Sequence, residues 1–306
     1  YMIGQVATLR DRVISLAELH QEVSQGSADW LTQPSTSVST PSPEPSPSPS
    51  DIAIIGIGTL LPRAQYPEQF WDNILQNVDA ITEIPPHRWD WRLYYDPDRQ
   101  ARDKTYSKWG GFLDDIPFDP LRFGIPPKSL KSIEPMQLLT LETVQRSLAD
   151  AGTMYTKGEF DRENTSVILG LSGGLADLGE QYVSRSELPQ IVDHPDANAW
   201  NRLPEWTEES FPGLLFNVTA GRVANRFDFG GANFTVDAAC ASSLAAVDLA
   251  VKELESGRCN LAIAGGVDTV QSVFAYMCFS KTQALSARGK VCTFDQSADG
   301  IVISEG

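Results

Sequence analysis

One cysteine in this sequence has neighbours suited to covalent chemistry. In TVDAACASSLAAVDLAVKELESG, residues 235–257, a β-rich stretch runs into Asp237, and a helical period begins about three residues later. Leu244, Val247, Val251 and Leu254 recur at steps of three and four, so this helix buries one face. Cys240 then stands at the helix N-terminus. Unpaired backbone N–H groups and the positive end of the helix dipole favour an anion there, such as a thiolate. Ala238, Ala239, Ala241, Ser242 and Ser243 are small, so a thioester and the neighbouring backbone can approach closely. The same N–H groups suit an oxyanion on an attacked carbonyl. The residues alone leave two readings open: an acyl-accepting nucleophile, or a buried, inert cysteine that tolerates a tight strand-to-helix turn.

The remaining candidates for chemistry are few. Of the four thiols, Cys240, Cys259, Cys278 and Cys292, most are expected to be small buried hydrophobes, and all four to be reduced, cytoplasmic ones. With no CxxC pair and three histidines, no zinc site is expected. His20, His87 and His194 all precede Cys240 and read as surface or structural residues. A formal net charge of −16 disfavours nucleic acid and anionic membranes as partners. No apolar run is long enough to span a bilayer, and the first residues carry no secretory pattern.

The elements that must position Cys240 alternate between strand and helix. DIAIIGIG (51–58) predicts a strand buried on both faces, followed by a helix from Glu68 to Val78. Residues 79–107 read as irregular, Glu134–Ala151 as a helix stopped by Gly152, and 165–171 as a strand. Residues 172–215 read as a long loop with short helices. A helix over 217–227, a strand over 232–237, the helix from Cys240 to Gly257 and a strand over 260–266 complete the series. Strands separated by helices predict an α/β fold with a parallel sheet covered on its faces. IAIIGIGTLLP (52–62) has two of the glycines of a dinucleotide turn. Leu61 occupies the third position and Asp79 ends a helix pattern, so that reading is rejected.

Upstream, residues 34–50 alternate Ser and Pro and form a linker, extended in the polyproline manner and able to separate its ends by about 50 Å. Residues 1–33 contain Met2, Val6, Leu9, Val13, Leu16 and Val23 on a heptad seam, with His20 filling the missing place. This segment is either a dimerisation or docking helix or the last helix of a preceding domain. A linker needs something on both sides, and with Tyr1 in first place the chain reads as an internal piece of a multidomain polypeptide.

Several motifs together resemble the β-ketoacyl synthases of fatty-acid and polyketide synthesis, over most of residues 51–306. DAACASS (237–243) resembles the family's active-site signature, and IAIIGIGTLLP its opening strand and turn. FWDNILQNVDAITEIPPHRWD (70–90), FDPLRFGIPPKSLKSIEPMQLLTLE (118–142), AGGVDT (264–269), FSKTQALS (279–286) and FDQSADGIVISEG (294–306) follow in the family's order and spacing. Glu134 stands where the family usually has Asp, Leu138 where Arg is usual, and Ala241 where Ser is also common.

The resemblance implies a thiolase-like, layered α/β fold with parallel and mixed sheets, residues 51–306 forming the first half of a duplicated five-layer arrangement. It implies that Cys240 takes an acyl group, which a malonyl-type thioester extends by decarboxylative Claisen condensation. Two catalytic histidines belong to the family's second half, and none of the three present here matches them. No metal or redox cofactor is implied. The extender arrives on the phosphopantetheine arm of an acyl carrier protein, for which Arg122, Lys128 and Lys131, or Lys281, Arg288 and Lys290, are candidate docking cations. A homodimer is implied by analogy, its central sheet continued across a two-fold axis at Asn233–Val236. The Trp-rich segment and the IVISEG ending resemble iterative long-chain lipid synthases. A thiolase-fold enzyme acting on coenzyme A esters shares the cysteine but not the ending. A non-catalytic synthase-like subunit typically lacks the cysteine.

Overall fold

The computed structural model describes residues 12–32, 51–173 and 176–306. The Ser/Pro linker at 34–50, and Met2, Val6 and Leu9 of the heptad seam, lie outside the described residues. The first helix, α1 (Leu16–Gln21), starts where Ser15 makes a capping box with Glu18. A π-helical turn (Glu22–Gly26) joins it to α2 (Ser27–Thr32). Leu16 and Val23 are exposed on this stretch, and Val13 is exposed ahead of α1.

α3 (Pro67–Leu75) opens on a proline at its first turn, where the missing N–H is not needed. β1 (Ile81–Glu83) pairs antiparallel with β2 (Trp109–Gly111), from Ile81 opposite Gly111 to Glu83 opposite Trp109. α4 (Pro135–Asp150) also begins with proline, and α5 (Thr153–Lys157) follows Gly152. Then come β3 (Thr165–Gly170), α6 (Asp177–Ile191), α7 (Ala197–Asn201), α8 (Ser210–Leu214) and α9 (Phe216–Phe227). β4 (Asn233–Val236), α10 (Ser242–Glu255), β5 (Leu261–Gly266) and α11 (Val273–Lys281) complete the order.

The principal sheet is parallel, in the order β4-β3-β5. Val167 lies opposite both Asn233 and Ile263, which fixes the register of all three strands. β3 is central, and every one of its residues is buried. Its side chains alternate between faces, so Val167 and Leu169 enter one core with Leu141, Val144 and Leu148 of α4 and Ala220, Val223 and Ala224 of α9. Ile168 enters the opposite core with Ala246 and Ala250 of α10. Helices on both faces of a parallel sheet are the α/β architecture expected from the sequence.

A third core holds Ile84, Tyr106, Phe112, Tyr276 and Leu285. It joins the region around β1 and β2 to α11 and the last residues. Trp89 donates its indole N–H to the Gln271 carbonyl at 2.8 Å, and Glu305 N–H donates to the Gly111 carbonyl at 2.9 Å.

Residues 51–58 depart from expectation. They form no strand among the described residues, and Ile54 is 83% exposed. A strand exists only through a ladder with a neighbour, and no described strand lies beside this one. One side of the segment is held by α4. Ile57 N–H donates to Asp150 Oδ2 at 2.8 Å, and Gly56 and Gly58 let the backbone lie against the Ser147 and Thr143 carbonyls. These glycines therefore serve helix packing, in accord with rejecting a phosphate turn. The expected loop at 172–215 is more ordered than its sequence suggests, since α6 alone fills fifteen residues of it.

Candidate active site

β4 delivers the chain to Asp237, and α10 carries it away from Ser242. Between them Ala239–Ala241 make one tight 3-10 turn with Cys240 at its centre. The helix thus starts two residues later than the hydrophobic period suggests. The difference is local hydrogen bonding, because the side chains of Asp237 and Ser242 compete for the backbone groups a helix would use. Asp237 Oδ1 accepts the Ala239 N–H at 2.8 Å, and Oδ2 accepts the Gly173 N–H at 3.3 Å. Ser242 Oγ accepts the Ala238 N–H at 2.9 Å and donates to the Ala239 carbonyl at 2.6 Å. Ala239 lies in the left-handed region at φ 49°, a conformation that costs a residue with a Cβ about 1–2 kcal/mol. The turn is strained and tied down from both sides.

The Asp237 carboxyl is held below the usual carboxylate range, chiefly by the Ala239 N–H, then by the Gly173 N–H and the Ser172 hydroxyl. It is therefore a carboxylate at neutral pH.

Close backbone approach seats the turn on the sheet. A Cβ on Gly170, the last residue of β3, would fall 2.4 Å from the Ser242 carbonyl carbon and 2.5 Å from the Ser243 nitrogen. A Cβ on Gly266, the last residue of β5, would fall 2.8 Å from Ser243 Cβ. The start of α10 thus rests on the ends of two neighbouring strands. Gly265 has nothing within reach of a Cβ, so of this pair only Gly266 is held to glycine by close packing.

Cys240 is exposed in this chain. Cys259 is buried, Cys292 half-buried, and Cys278 exposed but inside α11. Cys240 is the thiol that joins exposure to a helix N-terminus. The histidines are exposed and scattered. His20 lies on α1, His87 in the loop after β1, and His194 beyond α6 in a left-handed turn. Among the described residues, no group of three or more His, Cys, Asp or Glu side chains can hold a metal ion.

Of the candidate docking cations, several already have partners. Lys128 Nζ lies 3.6 Å from Glu208, Arg122 4.0 Å from Glu142, and Arg288 3.3 Å from Asp299. Lys281 Nζ donates to the Ala101 carbonyl at 2.6 Å.

The sequence gives little sign of a set of buried carboxyl groups. Glu134 and Glu305 are each 2% exposed. Glu305 Oε2 accepts from Arg88 at 2.7 Å and from the Leu113 N–H at 2.8 Å, while Oε1 is buried with no hydrogen-bond partner. Burial pushes Glu134 up to about 7, and the nearby Asp177 charge adds to the effect. Burial also pushes Asp177 up to about 7, reinforced by Glu180 and opposed by Arg88. Glu180, Asp268 and Glu305 are raised by burial as well. The Glu134 substitution and the DGxxxxEG ending (299–306) flag two members, but no spacing rule links residues 134, 177, 268 and 305.

These groups have a consequence for pH. A carboxyl that holds its proton more tightly when folded stabilises the fold at low pH and loses that contribution as pH rises from about 4 to about 7. The thermal midpoint is therefore expected to fall between about pH 5 and pH 8. Glu134→Gln is expected to flatten the slope. Thermal melts across that range check it, and a flat wild-type profile or an unchanged slope in the variant contradicts it.

Comparison with known proteins bears on the whole of this region. Residues 49–306 match the family model described as the beta-ketoacyl synthase N-terminal domain. A polyunsaturated fatty acid synthase subunit from Thraustochytrium sp. is 35% identical over 271 residues, covering 83% of this chain and 9% of that protein. Polyketide synthase PksN of Bacillus subtilis is 34% identical over 256 residues, covering 83% of this chain and 4% of that protein. Among solved structures, the oxazolomycin ketosynthase domain OzmH KS7 of Streptomyces albus superposes with a TM-score of 0.68 at 32% identity, covering 81% of this chain and 41% of that one. The ketosynthase from module 6 of the Bacillus subtilis bacillaene synthase gives 0.63 at 28% identity, covering 83% of this chain and 38% of that one. The chain thus spans a small part of these curated relatives and about two fifths of the solved domains.

Proposed function

This chain belongs to the β-ketoacyl synthase family, and from that premise we propose that it supplies the acyl-holding nucleophile, Cys240, of a decarboxylative Claisen condensation. The observation that carries the proposal is an exposed thiol at the centre of a strained, doubly tethered turn between β4 and α10. The Cys240 thiolate attacks the carbonyl of a donor thioester, and the donor leaves as a thiolate that takes a proton from solvent. The acyl group is then held as a thioester on Sγ. A malonyl-type thioester on the phosphopantetheine arm of an acyl carrier protein loses carbon dioxide. The electron pair released forms an enolate, whose carbon attacks the Cys240 thioester. The carbon–sulfur bond breaks, Cys240 returns as thiolate, and the β-ketoacyl product stays on the carrier.

The enolate released on decarboxylation calls for hydrogen-bond donors to its oxygen, and none of His20, His87 and His194 matches the family's two catalytic histidines. Those groups are expected from outside this chain, in an intact synthase. The likeness to a polyunsaturated fatty acid synthase supports an iterative, long-chain product. Likeness to polyketide synthases at nearly equal identity supports the condensation step itself. β4 is an edge strand with one side unpaired among the described residues, which suits pairing across a two-fold axis in a homodimer. Residues 1–33 are proposed as a docking or dimerisation helix ahead of the linker.

The test is acyl mapping. The intact synthase is incubated with an acyl thioester, digested and analysed by mass spectrometry. The acyl group is expected on the Cys240 peptide and to leave on addition of malonyl carrier protein. Acylation at another residue, or none, overturns the proposal.

A further inference from the structure

Resting on the reading of Cys240 as the acyl carrier, we propose that Asp237 is a positioning residue, clamping the nucleophile turn and the loop after β3 into one unit that presents Cys240. Its two carboxylate oxygens have different duties. Oδ1 accepts the Ala239 N–H, from the residue immediately before Cys240, and Oδ2 accepts the Gly173 N–H across 64 positions of sequence. The first bond holds Ala239 in its left-handed conformation, and the second ties Gly173, three residues beyond the end of β3, to the same carboxylate.

Ser242 secures the turn from the helix side and is itself buried against Gly170. Asp237 is exposed, so its removal leaves the three hydrophobic cores untouched. Without the carboxylate, Ala239 can relax towards ordinary backbone angles, and the Cys240 N–H and Sγ change direction together. Asn at this position keeps an acceptor for the Ala239 N–H but turns either no second acceptor or an NH₂ donor towards the Gly173 N–H. The Asn variant is thus the graded test of the second bond.

Single-turnover acylation of the intact synthase by hexanoyl-N-acetylcysteamine, followed on the Cys240 peptide, is compared for wild type, Asp237→Ala and Asp237→Asn. Iodoacetamide labelling of Cys240, Cys259 and Cys278 runs in parallel. The expected loss in maximal acylation rate is about 100-fold for Ala, the scale of a displacement near 1 Å, and about tenfold for Asn, with half-saturating thioester unchanged. Cys259, buried in the wild type, is expected to stay protected, and Cys278 to label at the wild-type rate. Acylation within twofold of wild type in Asp237→Ala overturns the proposal. So does Cys259 labelling in both variants, which assigns Asp237 to holding the fold. A wild-type protein that is never acylated at Cys240 overturns the reading of the reaction. In that case, iodoacetamide labelling of Cys240, slowed in both variants, still upholds the clamp, and unchanged labelling removes it.

Discussion

Cys240→Ala in the intact synthase is expected to lower β-ketoacyl product formation by about 10⁴-fold or more, with the thermal midpoint unchanged. The size follows from the absence of a substitute. Ser242 is buried, and its hydroxyl is committed to the Ala238 N–H and the Ala239 carbonyl. Ser243 is exposed, but a neutral hydroxyl is a weak nucleophile at its free pKa. Cys278 is exposed on α11 and lacks a helix N-terminus. Loss of an activated nucleophile removes most of the rate acceleration, because the groups around it act as a unit. The unchanged midpoint follows from size, since the change removes one sulfur atom and leaves the hydrogen bonds of Asp237 and Ser242 that hold the turn. Steady-state product assays and a thermal melt check both halves. Product formed at the wild-type rate excludes Cys240 as the acyl carrier.

The largest structural effect is expected from Gly170→Val. Even a methyl group there would lie 2.4 Å from the Ser242 carbonyl carbon and 2.5 Å from both the Ser242 oxygen and the Ser243 nitrogen. All three are backbone atoms, so no rotamer change relieves the contact. Either α10 lifts from the sheet or the end of β3 withdraws. Either shift disturbs the packing of Ile168 with Ala246 and Ala250. Overpacking of a close-packed core typically costs about 1–3 kcal/mol, and a clash with rigid backbone is expected at or above the upper end. Chemical denaturation is expected to show that loss, together with slowed alkylation of Cys240. A variant with wild-type stability and wild-type alkylation contradicts the seating of α10 on Gly170.

What the sequence made legible here was local, and what it hid was distant. The helix of Leu244, Val247, Val251 and Leu254 could be read from its period, and the place of Cys240 followed from the strand before it. The two-residue shift in the helix start needed knowledge of which side chains take which N–H groups. The run at 51–58 has a strand's composition, yet a strand is a property of two segments, and composition reports only one. α6 escaped because its amphipathic pattern is weak and Pro189 interrupts its last turn. The carboxyl cluster was hidden for the opposite reason. Each acid looks like an ordinary surface residue until Arg88, Asp268 and Glu305 are brought together by folding.

The order of strands in the parallel sheet also bears on how the protein is made. Ribosomes release β3 first, then β4, and β5 only after the whole of α10 has emerged. Until Leu261–Gly266 leaves the exit tunnel, the central strand has one open edge of unpaired N–H and C=O groups, and the helix behind Cys240 lacks half of its seat. At about 5–20 residues per second that interval lasts a few seconds, long against the folding of a helix. Parallel pairing across a crossover is slow, so the nascent chain waits with an apolar strand exposed. Chaperone capture during synthesis is thus expected to centre on Thr165–Gly170, and slow codons between Val236 and Leu261 would prolong the hazard.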